Sequence, residues 1–159
     1  MAGAKVKAMA VSSASVDTNT LLTVGVFADL ATARTAVNAL LTTHRFAAST
    51  MSAVANDDPA LEAWMAEVFG GSRTASAGTA ALRVAGPLVP GTGFPGDGVD
   101  GLMRASGFQS HDGRIFARLV ERGGVLVAVT SDARAADALS VMHAYGGGNA
   151  AIGAWQGRL

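Results

Sequence analysis

Gly123-Gly124-Val125-Leu126-Val127-Ala128-Val129 decides the reading of this chain. Five apolar residues follow a glycine pair without a polar interruption, the pattern of a central strand buried on both faces. Ser131-Asp132 then supplies a helix cap, and Ala135, Ala138, Leu139 and Met142 form the stripe of the helix that follows. Gly146-Gly147-Gly148 ends that helix, and residues 149–155 read as a last strand. The same succession stands about 100 residues earlier. Leu21-Leu22-Thr23-Val24-Gly25-Val26-Phe27 is a strand-length apolar run, and Asp29 sits where an N-cap belongs. Leu30, Ala33, Val37, Leu40 and Leu41 recur at helical spacing up to His44-Arg45, and a second strand falls within residues 49–55. Two strand–helix–strand units facing one sheet predict an α+β, ferredoxin-like split β-α-β sandwich: an antiparallel sheet with helices on one face.

Residues 57–122 read as an insertion between these halves. Asn56-Asp57-Asp58-Pro59 is a helix start with an acidic cap and proline at the first helical position. Leu61, Trp64, Met65, Val68 and Phe69 supply its apolar stripe, and Gly70-Gly71 closes it. A strand is expected around residues 79–85. Residues 86–98 hold three prolines and five glycines, which reads as a long connection. A short helix follows with Val99, Leu102 and Met103, then a longer one over residues 109–122 with Ile115, Phe116, Leu119 and Val120 on one face. The resulting division is an arm over residues 1–20 and a single α+β domain over 21–159. Its halves are 21–56 and 123–159.

Composition restricts function mainly by exclusion. The 159 residues include 12 basic and 12 acidic side chains and no cysteine. Zero net charge argues against broad capture of nucleic acid, and the missing thiols exclude a disulfide framework, thiolate metal sites and a cysteine nucleophile. Both lysines, Lys5 and Lys7, stand in the first seven positions, but the apolar stretch after them is broken at Ser12-Ser13. That is too short for a secretory core of about 7–15 apolar residues, and no run reaches the ~18 of a membrane span. A soluble cytoplasmic chain is the expectation.

Three stretches carry a family resemblance: residues 23–33, with their apolar strand, acidic turn and alanine-rich helix; Ala85-Gly86-Pro87-Leu88; and residues 101–129, with the Ser106-Gly107-Phe108 loop and the helix ending at Arg122-Gly123-Gly124. They resemble the YflT-type bacterial general stress proteins, also described as heat-induced stress proteins. The likeness spans roughly residues 21–147 and implies a stress-associated protein with no catalytic residues to carry over. The middle stretch departs from the family, being short and proline-bearing.

Several motifs bear on chemistry. Gly91-Thr92-Gly93-Phe94-Pro95-Gly96 fits G-x-G-x-x-G, but Pro95 sits where a dinucleotide-binding helix would open, so the stretch reads as loop. Ser110-His111-Asp112 are consecutive, and helical neighbours diverge by about 100°, so they read as a cap at Ser110 and not as a triad. His44, His111 and His143 lack the four-residue spacing of a helical metal site. His44 and His143 fall near helix ends, where a cation favours the dipole. Glu62 and Glu67 read as a solvated helix face. Arg114, Arg118 and Arg122, spaced by four with Arg104 nearby, form the polar cluster that suits an anionic ligand or an interface.

No metal and no cofactor are implied. The leading expectation is a non-enzymatic protein acting by self-assembly, as a dimer or larger, or by partner binding. Val6, Ala8 and Ala10 alternate in the arm and could add a strand to a neighbour, with Trp155 burying against it. The alternative is an ACT-like regulatory domain that takes a small molecule at a subunit interface. An enzyme using Arg114, Arg118 and a histidine on an anionic substrate is a third reading.

Overall fold

The computed structural model describes residues 20–96, 98–131 and 133–154. Strand β1 (Leu21–Phe27) leads into helix α1 (Leu30–Asn38), which runs without a break into a π-helical turn, Ala39–Thr43, closed at His44. Strand β2 (Met51–Asn56), helix α2 (Pro59–Phe69) and the hairpin β3 (Arg73–Ala77) and β4 (Ala80–Ala85) follow. After the glycine- and proline-rich connection come α3 (Val99–Ala105), α4 (Ser110–Glu121), β5 (Val125–Ser131), α5 (Ala135–Ala144) and β6 (Ala151–Ala154).

The strands form one six-stranded sheet in the order β3-β4-β2-β5-β1-β6, every neighbouring pair antiparallel. β5 lies between β1 and β2, and β1 lies between β5 and β6. Each strand–helix–strand unit is thus split by a strand of the other. The expected antiparallel α+β sheet is present.

Local chemistry accounts for the element starts. Asp29 Oδ1 accepts bonds from the Thr32 amide and hydroxyl, both at 2.8 Å, and opens α1. The backbone bond is the stronger cause, and the pair holds this carboxyl below its ordinary range. Asp58 accepts from the Ala60 amide at 2.7 Å, with Pro59 at the first turn, and opens α2. Two expected caps differ. The chain is still extended at Gln109, so Ser110 is already helical and caps nothing through its side chain. Arg134 occupies the cap position of α5, and Asp132 lies outside the described residues.

Helices cover both faces of the sheet, which corrects the expectation of helices on one face. On one side Val125, Val127 and Val129 pack with Ala33, Val37 and Leu40 of α1, Leu61, Trp64 and Met65 of α2, and Met142 of α5. On the other side Leu126 and Ala128, with Leu22, Val24 and Val26, pack under Leu102 and Met103 of α3 and Phe116 and Val120 of α4. The reason is in the strands: β5 is apolar on both sides, and β1 adds Phe27 to one core and Leu22, Val24 and Val26 to the other, so neither face can be left to water.

The connection over residues 86–98 carries the chain from β4 to the second face. It turns at Gly86, whose φ of +84° is the left-handed region. A side chain there would also run into the Met51 carbonyl and Ser52. Beyond it Leu88 and Val89 are buried in the second core, and the Leu88 amide donates to the buried Ser52 Oγ at 3.0 Å. From the far side the Arg73 guanidinium donates to the Val89 carbonyl at 2.7 Å and the Pro90 carbonyl at 3.0 Å. These bonds hold residues 88–90 against the sheet.

Candidate functional site

Helix α4 presents the cluster that the sequence singled out. Phe116 and Val120 are buried in the second core, Gly113 is buried against α3, and Phe116 meets Phe108 edge to face at 5.6 Å between ring centroids. Gly113 marks the closest approach of α3: a Cβ on it would stand 2.6 Å from Asp100 Oδ1. Ile115 and Leu119, expected in the apolar stripe, are only half-buried.

Arg114, Arg118 and Arg122 are exposed, and among the described residues none of their guanidinium groups has an ion-pair or hydrogen-bond partner. Arg104 is not part of this set. It belongs to α3 and pairs along its own helix with Asp100, Nε to Oδ1 at 3.4 Å. The structure therefore brings three of the four expected arginines together.

Two concavities meet at these arginines. A cleft of about 350 Å³ lies between α4 and the start of the hairpin strand β4. Leu82, Val99 and Val120 line it with Asn56, Asp100, Arg114, Arg118 and Glu121. A shallower depression of about 220 Å³ runs along the outside of α4, bounded by His111, Arg114, Ile115, Arg118, Leu119 and Arg122. Arg114 and Arg118 border both.

The charge distribution is uneven. On the opposite layer α2 exposes Glu62 and Glu67, and its cap residue Asp58 is exposed too. Glu67 reaches Arg34 only at 3.9 Å, with both side chains more than half exposed. Arg83 on β4 is better held: it donates to Asp57 at 2.7 Å and to Ser72 at 2.8 Å, and Glu62 lies 3.9 Å away. The Asp57 bond is the main cause that raises its already high pKa.

The remaining motifs stay apart. His44, His111 and His143 sit on three different elements, at the end of the π turn, in the first turn of α4 and in the last turn of α5. Among the described residues no three His, Asp or Glu side chains form a group that could hold a metal ion. Ser110, His111 and Asp112 are successive residues of one helical turn. The stretch 91–96 is loop, with a turn from the Gly93 amide to the Pro90 carbonyl at 2.9 Å, and α3 opens only at Val99. Val6, Ala8, Ala10 and Trp155, expected at an assembly contact, lie outside the described residues.

Asn56, Leu82 and Asp100 were not anticipated as lining residues. Gly113, small and mid-helix in an amphipathic pattern, was the available signal for the close approach of α3. No helix among the described residues is long and apolar enough to cross a membrane. No family model, curated protein or solved structure matches this chain.

Proposed function

We propose that this chain is a non-enzymatic, stress-type protein that works by assembling with copies of itself. The basic outer face of α4 on one copy meets the acidic face of α2 on the next. The observation that carries this reading is the unpaired set Arg114, Arg118 and Arg122 beside half-buried Ile115 and Leu119, set across the sheet from exposed Asp58, Glu62 and Glu67. Like charges oppose pairing α4 with its own copy, whereas a head-to-tail contact brings opposite charges together. The four strands β2-β5-β1-β6 support a ferredoxin-like reading, with the β3–β4 hairpin extending the β2 edge. The resemblance of residues 21–147 to the general stress proteins supports a role under stress in the cytoplasm.

The test is charge exchange followed by light scattering. The native chain associates at low salt and dissociates as salt rises. Arg114→Glu with Arg118→Glu, and separately Glu62→Arg with Glu67→Arg, each give monomers, and an equimolar mixture of the two re-associates. A native chain that is monomeric at low salt, or a mixture that stays monomeric, overturns the reading. Deleting residues 1–20 tests the arm: a fall in assembly mass supports its sequence-based role, and an unchanged mass removes it.

The cleft beside α4 favours a second reading, an ACT-like regulatory domain that binds a small molecule. A thermal midpoint that climbs with ligand concentration supports it, and a flat screen of small ligands refutes it.

A further inference from the structure

The cleft between α4 and β4 mixes both signs of charge over an apolar floor. Leu82, Val99 and Val120 form the floor, all nearly fully buried. Helix α4 contributes Arg114, Arg118 and Glu121 to the rim, α3 contributes Asp100, and the end of β2 contributes Asn56. Asp100 is the informative member. Its Oδ1 is buried without a hydrogen bond, turned toward Gly113 and Arg104, while the side chain as a whole stays 31% exposed. Asp100 lines the cleft, and its one neighbouring cation among the described residues, Arg104, lies 3.4 Å from the buried Oδ1 on its own helix.

A simple anion such as phosphate would gain from two arginines but would meet two carboxylates at the same rim. A simple cation meets the reverse. A molecule carrying both charges satisfies both sets at once. The volume sits at the small end of ligand pockets, about 300–1,000 Å³ in general, which suits a single small molecule.

We propose that this cleft binds a small zwitterion of the α-amino-acid type with an apolar side chain. Its carboxylate pairs with Arg114 and Arg118, its ammonium pairs with Asp100 and Glu121, and its side chain covers Leu82, Val99 and Val120. This deepens the ligand-binding alternative; the cleft lies within one chain, but Arg114 and Arg118 also belong to the proposed assembly face, so a ligand and a neighbouring copy would compete for them.

Four probes on the native protein test it by thermal shift and calorimetry: L-phenylalanine, N-acetyl-L-phenylalanine, L-phenylalaninamide and inorganic phosphate. Free phenylalanine raises the midpoint in a concentration-dependent way. Loss of the ammonium charge in the acetyl form, or of the carboxylate in the amide, weakens binding about ten- to hundredfold, the worth of a hydrogen bond to a charged group. Asp100→Asn and Arg118→Gln each lower affinity for free phenylalanine, and Asp100→Asn narrows the gap between it and the acetyl form. Phosphate or the acetyl form binding as tightly as the free amino acid overturns the zwitterion and leaves an anion site. No shift with any of the four at millimolar concentration overturns the ligand-binding reading as well.

Discussion

Replacing Ser52 by alanine tests how the second face of the sheet is assembled. Ser52 is 3% exposed and its hydroxyl accepts the Leu88 amide at 3.0 Å, and Leu88 itself is 1% exposed. Removing the hydroxyl leaves a backbone N–H buried with no acceptor, a cost of about 1–3 kcal/mol. For a chain of this size each kcal/mol moves the melting midpoint by about 2–4 °C, so the fall should be roughly 2–12 °C. Urea titration should show a lower midpoint with an unchanged slope, since the buried area is the same. Hydrogen exchange locates the effect: the Leu88 amide should lose protection well before amides of β5. Leu88→Ala gives the scale, because emptying a buried leucine site costs about 2–5 kcal/mol. If Ser52→Ala left both the midpoint and Leu88 protection unchanged, the hydroxyl would not be what holds this connection.

Gly86→Ala should destabilise more than Ser52→Ala, because it adds a positive-φ strain to a collision with the Met51 carbonyl; comparing the two urea midpoints checks the order. Gly113→Ala should push Asp100 away from α4, costing about 1–3 kcal/mol in denaturant titration and weakening phenylalanine binding in the cleft. Asp29 has a folded-state pKa below its unfolded one, so its contribution is present above the unfolded carboxylate pKa and fades as pH falls through the folded value. Asp29→Asn keeps a capping oxygen but cannot titrate, so the acid arm of its melting-temperature profile should be flatter than that of the native chain.

The strands at the centre were legible because burial on both faces leaves an unbroken apolar run. Val125-Leu126-Val127-Ala128-Val129 could hardly be anything else, and its mirror in residues 21–27 followed. The same signal contradicted a one-sided helix layer: a run apolar at every position needs cover above and below, and α3 and α4 supply it. Strand β3 was invisible, since Arg73-Thr74-Ala75-Ser76-Ala77 buries only Ala75 and owes its form to pairing with β4. Helix periodicity located the sheet-facing side of α4 but not its width, so Ile115 and Leu119 passed for core. The arginine set was readable from a spacing of four on one helix. Its companions were not, because Asn56, Leu82 and Asp100 come from three other elements that only the fold brings together.

The pairing of β1 with β5 bears on how this protein is made. Leu21 is matched with Ser131 and Phe27 with Val125, so β1 leaves a ribosome about a hundred positions ahead of its partner β5. At about 5–20 residues per second that interval lasts roughly 5–20 s. Throughout it, Leu22, Val24 and Val26 have no strand to shelter them. Nascent chains of this protein should therefore be clients of holding factors at the exit tunnel, and codon changes that slow residues 57–122 should lower soluble yield without altering the finished molecule.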